Sequence, residues 1–142
     1  MILAVLDTNI LVSAILSRLG DPARILEEWK KETFILVLSE PIFKEIDRVF
    51  HYPKIQNRLR FSPKELQNFL NDLKTFTLLA PGRMKIKTTL SDPEDFPFLI
   101  AAKETGADFL VTRDSDLLIL KEFEGIKIIT PRAFLENLRA MR

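Results

Sequence analysis

Ile2-Leu3-Ala4-Val5-Leu6-Asp7-Thr8-Asn9 places five apolar residues in a row ahead of an acid, a hydroxyl and an amide. An unbroken apolar run of this length suits a strand buried on both faces, as in a parallel sheet covered by helices. Asp7, Thr8 and Asn9 carry side chains that cap helices, and Ile10, Leu11, Ala14 and Ile15 follow at the spacing of one helical face. The stretch therefore predicts a strand, a tight turn and a helix, with Asp7 at the carboxyl end of the strand.

The same alternation recurs downstream. A second helix is predicted from Pro22 to Lys31, with Ile25, Leu26 and Trp29 inward. Phe34 to Leu38 reads as a strand. Ser39-Glu40-Pro41 then opens a helix carrying Ile42, Phe43, Ile46, Val49 and Phe50, which stops before Pro53. Residues 54 to 75 read as helical, with Ser62-Pro63-Lys64-Glu65 as a capping box ahead of Leu66, Phe69, Leu70 and Leu73. Thr77 to Ala80 is extended. A helix through Phe98 to Ala102 ends at Gly106, which suits a left-handed C-cap. Phe109 to Thr112 and Ile126 to Ile129 are strands separated by a short helix, and Pro131 opens a last helix with Phe134, Leu135 and Leu138 inward. Strands alternating with helices indicate an α/β fold. The expectation is three α/β/α layers with a parallel central sheet of about four to five strands, in a single domain over residues 1–142.

Composition narrows the chemistry. There are 142 residues with 21 Lys and Arg, 20 Asp and Glu, one His and no Cys. Without thiols, disulfides and cysteine nucleophiles are excluded, and one histidine makes a zinc site or a serine triad a poor fit. The longest apolar runs, Met1 to Leu6 and Phe34 to Leu38, fall far short of the roughly 20 residues a membrane helix needs. With no basic segment or cleavage site ahead of the first run, a cytoplasmic protein without a membrane span is expected. Catalysis, if present, must come from carboxylates.

Ligands in open parallel sheets bind outside the carboxyl ends of the strands. Asp7 follows the first strand, and Asp114 and Asp116 follow the strand ending at Thr112. Singly, each is an ordinary cap or turn residue; together they share one edge of one sheet. Pro97 biases Phe96 away from helical angles, so the next helix should start near residues 95–97 with Asp95 at its positive end. Asp92 would cap that helix only if it began earlier, leaving Pro97 beyond the tolerated first turn. Glu45 stands beside the buried face marked by Ile42 and Val49, where a carboxylate needs a partner, while Lys44 and Arg48 point outward. Converging carboxylates repel one another, and a divalent cation relieves the repulsion. Oxygen-only ligation selects Mg²⁺ or Mn²⁺, and acid clusters holding such ions commonly hydrolyse phosphodiesters.

Asp7-Thr8-Asn9 after the opening strand, Glu45 in a mid-chain helix, Asp95 ahead of Ile100-Ala101-Ala102, and Leu110-Val111-Thr112-Arg113-Asp114-Ser115-Asp116 together resemble the PIN-domain nucleases. The likeness covers essentially the whole chain, and although each motif alone is weak, four in register are specific. It implies that Asp7, Glu45, Asp95 and Asp114 form the family's catalytic, metal-binding quartet, with Asp116 as a possible fifth ligand. Asn9 and Thr112 would orient those carboxylates by hydrogen bonds. It further implies Mg²⁺- or Mn²⁺-dependent cutting of single-stranded RNA to a 5′-phosphate and a 3′-hydroxyl. Members of this size are often VapC-like toxins held by a small antitoxin protein, and they usually form homodimers. Asp92-Pro93-Glu94-Asp95 departs from the pattern, with three acids where many members have one.

With five acids in one cleft, the rest of the chain carries six more basic than acidic groups, a shell that attracts polyanions. Lys44, Arg48, Lys54, Arg58, Arg60 and Lys64 form one basic region and Arg83, Lys85 and Lys87 another. Arg113, Arg48, Arg58 and Arg60 are the candidate RNA contacts, against the ordinary alternative of solvated charged helix faces. A haloacid-dehalogenase-type phosphohydrolase is the rival enzyme, but it wants a second acid two residues after the first, where this chain has Asn9. A non-catalytic binding module that keeps an acidic metal pocket is the other alternative.

Overall fold

The apolar runs become strands and the periodic stretches become helices in a computed structural model that describes residues 1–88, 90 and 92–141. In chain order the elements are β1 (Leu3–Leu6), α1 (Thr8–Leu16), α2 (Asp21–Lys30), β2 (Ile35–Ser39), α3 (Glu40–Phe50), α4 (Pro53–Gln56), α5 (Pro63–Thr75) and β3 (Leu78–Ala80). A 3₁₀ turn (Pro93–Asp95) then leads into α6 (Phe96–Thr105), β4 (Phe109–Val111), α7 (Ser115–Leu118), β5 (Glu122–Phe123), β6 (Ile126–Ile129) and α8 (Pro131–Ala140).

The sheet order is β3-β2-β1-β4-β6-β5, parallel throughout except for β5. Val5 of β1 lies between Val37 of β2 and Leu110 of β4, all three buried, as the uninterrupted apolar runs require. The chain steps outward from β1 through β2 to β3, then crosses back to build β4 on the other side. β1 and β4 thus flank the switch point, where the connections leave in opposite directions and a crevice opens at the carboxyl ends. Helix α6 crosses β4, β1 and β2, whereas α2 packs on α1 and α8. Phe34, Phe109 and Phe134 meet edge-on, with centroids 5.0 and 5.8 Å apart, and tie the sheet to α8.

Two elements differ from the sequence reading. Residues 54–75 are not one helix: α4 ends at Gln56, and Ser62 starts α5 afresh through a complete capping box with Glu65. Pro63 pushes Ser62 out of the helical region, so the box can only begin a new helix. The sheet also has a sixth strand. Lys121 and Glu124, with φ of 61° and 49°, bend the chain on either side of the two-residue β5, which pairs antiparallel with β6 and closes that edge with a charged hairpin. Gly106 takes φ 65° at the end of α6, as expected of its C-cap. Among the described residues, no helix is long and apolar enough to cross a membrane.

Candidate functional site

β1 delivers Asp7 to the crevice. Its N–H donates to the Val111 carbonyl (2.9 Å), which extends the β1–β4 ladder one step and holds Asp7 against the end of β4. With φ −59° and ψ 142°, Asp7 caps α1: one oxygen accepts the Asn9 N–H (3.3 Å) and the other accepts the Thr112 hydroxyl (2.8 Å). Asp7 is buried, and burial raises its pKa above the usual carboxylate value; the hydrogen bonds from Thr112 and Asn9 oppose that rise and the charge of Asp114 adds to it.

Thr112 couples the two sides of the crevice. Fully buried, its hydroxyl donates to Asp7 and accepts the Asp114 N–H (2.9 Å). Asp114 in turn caps α7 by accepting the Asp116 N–H (2.9 Å). A second hydroxyl extends the network to α3, because Thr8 donates to Glu45 Oε2 at 2.7 Å.

Asp95 differs from all of these. Asp92, not Asp95, performs the capping: it accepts the Glu94 N–H (2.9 Å) and starts the 3₁₀ turn that runs into α6. Phe96 takes helical angles (φ −59°, ψ −41°) despite Pro97, because the turn ahead of it places that proline within the first turn of α6. Asp95 is left at the amino end of α6 with no capping bond, 7% exposed. Its Oδ2 is the one buried side-chain polar atom lacking a hydrogen-bond partner among the described residues. Burial, reinforced by the charges of Asp114, Asp92, Asp7 and Asp116, pushes its pKa up to about 6.

The structure thus gathers Asp7, Asp95 and Asp114 at the crevice and links Glu45 to it through Thr8. Asp116 is exposed and contributes its backbone N–H and its charge. The Thr112 contact to Asp7 comes from its side-chain hydroxyl, whereas the Asn9 contact to Asp7 comes from its backbone N–H. Sequence reasoning missed Thr8; the signal was Glu45, a half-buried acid in want of a donor, together with an unassigned hydroxyl beside Asp7.

Among the described residues, no group of three or more Asp, Glu, His or Cys stands close enough together to hold a metal ion as the side chains lie. The donor set is nevertheless all oxygen, and the partnerless Asp95 Oδ2 among other acids fits a hard cation such as Mg²⁺, which keeps several waters instead of an all-protein cage.

The basic residues are dispersed. Arg113, between Thr112 and Asp114, is exposed at the crevice, and Arg48 is exposed one turn beyond Glu45. Arg58 and Arg60 lie between α4 and α5, and Arg60 lines a separate cavity of about 280 Å³ with Arg18 and Lys30. Arg83, Lys85 and Lys87 are exposed on the connection from β3. Glu104 anchors that connection by accepting the N–H groups of Gly82, Arg83 and Met84 at 2.7, 3.0 and 3.1 Å. Gly82 is required there, since its φ is 72° and a Cβ would stand 3.0 Å from Pro41 Cδ.

Residues 4–116, from β1 into α7, match the PIN domain family. The chain belongs to that family. PIN domains are generally nucleases, hence hydrolases, and typically use divalent metals. The match spans Asp7, Glu45, Asp95, Asp114 and Asp116. A relative, the uncharacterized protein MJ1680 of Methanocaldococcus jannaschii, is 28% identical over 146 residues, covering 94% of this chain and 89% of its own.

Proposed function

We propose that this PIN domain is a Mg²⁺- or Mn²⁺-dependent endoribonuclease acting on single-stranded RNA. The observation that carries the reading is Asp95 Oδ2, buried without a partner beside Asp7 and Asp114 at the switch point. A buried acceptor that is surrounded by like charge and has no donor of its own is stabilised by a proton or a cation. Asp7, Asp95 and Asp114 would hold the ion, with Glu45 turned toward it by Thr8. When bound, the ion supplies a water of lowered pKa and neutralises charge on the leaving oxygen. The residues' own part is to fix that geometry: Thr112 locks Asp7, and the N-cap bond locks Asp114. Arg113 would meet the phosphate. Membership of the PIN family and Asn9 at the second position after Asp7 weigh against the haloacid-dehalogenase alternative.

Incubation of the purified chain with single-stranded RNA in Mn²⁺, Mg²⁺ or EDTA tests this, with Asp7→Asn alongside. Cleavage that needs the metal and Asp7 supports the reading; cleavage in EDTA sinks its metal dependence, and no cleavage under any condition sinks it in favour of the non-catalytic module. We further propose a cytoplasmic homodimeric toxin restrained by a small antitoxin. The PIN fold and the resemblance support this, and the mass in solution and a neighbouring small gene test it.

A further inference from the structure

We infer that Thr8 is a positioning residue that sets the orientation of Glu45 and, through it, the affinity of the crevice for a divalent cation. The inference rests on the metal-dependent reading above. Thr8 is only 3% exposed, and its hydroxyl donates to Glu45 Oε2 at 2.7 Å in a partly buried contact. That short contact joins α1 to α3 across 37 residues of sequence. Its chain neighbour Asp7 is locked by Thr112, so consecutive residues at the start of α1 serve opposite sides of the crevice.

Two features make the hydroxyl directional. Branching at Cβ restricts threonine to few χ1 rotamers, and the first turn of a helix fixes the backbone beneath it. Glu45 has no such constraint of its own, for a glutamate on a helix surface samples several rotamers. With one carboxylate oxygen held by Thr8, the other is restricted in where it points. Lys44 and Arg48, its charged neighbours on α3, are exposed, and neither forms an ion pair with it among the described residues. Thr8 is therefore the group that decides where Glu45 places its charge.

Mn²⁺ binding to the full chain, followed by electron paramagnetic resonance, tests this without reference to turnover. Removing an outer hydrogen-bond partner of a metal-binding carboxylate typically weakens binding by about 10–100-fold. Thr8→Val should fall in that range, Thr8→Ser should stay within about threefold of the parent, and Thr8→Val combined with Glu45→Gln should bind no more weakly than Glu45→Gln alone. Circular dichroism confirms folding, and Thr8→Ala serves if the valine variant fails to fold. Unchanged affinity in Thr8→Val, failure of serine to restore it, or additive losses in the double variant would overturn the inference while leaving the nuclease reading intact. Absence of Mn²⁺ binding by the parent chain would remove both.

Discussion

The two edges of the sheet solve opposite problems. At the amino edge, Met1, Trp29, Phe34, Phe69 and Phe76 line a cavity of about 620 Å³, and the Trp29 indole N–H is satisfied by the Phe76 carbonyl at 3.2 Å. At the carboxyl edge, Asp7, Asp95 and Asp114 crowd a crevice in which one buried oxygen has no partner. The amino edge offers a cavity with a largely aromatic lining, rimmed by Lys30, Glu32 and Asp72, and its one indole donor is satisfied. The carboxyl edge holds free energy in reserve, since bringing acids together destabilises the fold until something neutralises them. On the proposed reading, unsatisfied charge, not volume, marks the functional end of this molecule.

The sharpest way to break that contrast is to remove charge at the crevice while keeping shape. Asp7→Asn and Asp114→Asn each retain a capping oxygen for α1 or α7, so the helices should survive. RNA cleavage should nevertheless fall by more than the 10–100-fold typical of losing an outer hydrogen-bond partner. A pair of variants that cut RNA at the parental rate would show the crevice to be merely structural. Phe34→Ala makes the reverse test at the amino edge. Phe34 is 2% exposed and stacks edge-on with Phe134, so the cavity it leaves should lower stability by about 3–5 kcal/mol. Mn²⁺ affinity of the folded fraction should not move. If it did, the two edges would be coupled and the contrast false.

Asp95 sharpens the comparison through pH. Its pKa in the folded protein, about 6, lies above the ordinary aspartate value of 3.8. The native state therefore holds a proton that the unfolded chain has released between those two values. For an acid raised in this way, stability is greatest below about pH 4 and falls as pH rises toward 6, opposite in sign to a salt-bridged aspartate. Asp95→Asn, which cannot ionise, should stabilise the metal-free protein at pH 7 by roughly 1–3 kcal/mol and flatten its melting temperature across that window. A steeper loss of stability in Asp95→Asn would contradict the burial of an uncompensated charge. In the parent chain, Mn²⁺ at a hundredfold excess over its dissociation constant should restore about 2.7 kcal/mol at pH 7, reversibly with EDTA.

The fold was legible in the sequence because its signals are local. Ile2 to Leu6 reads as a buried strand, Ser62 to Glu65 carried its own helix start, and Gly106 its own stop. What failed also failed locally: β5 has two residues, too few for any periodicity, and owes its existence to pairing with β6. Asp7 and Asp114 were readable as acids at strand ends. Asp95 against Asp92 was not, because Pro97 argued for a late helix start while a 3₁₀ turn allowed both residues a place. Thr8 was the least legible, for its partner is set by the crossing of α1 and α3 and by nothing near it in the chain.

The smallest effect belongs to Asp116, and its smallness is informative. Its backbone N–H, not its carboxylate, completes the Asp114 cap, and its side chain is exposed. The carboxylate acts on the crevice only as a charge that helps to raise Asp95, and it ranks behind burial, Asp114, Asp92 and Asp7 in doing so. Water screens an exposed charge strongly. Asp116→Asn should therefore lower cleavage by no more than about threefold at physiological salt, with the difference shrinking as salt rises. Kinetics at two ionic strengths would check this. A loss as deep as that of Asp114→Asn, insensitive to salt, would mean that Asp116 turns inward when the crevice is loaded, and that the boundary of the charged edge lies two residues further along the chain than Asp114.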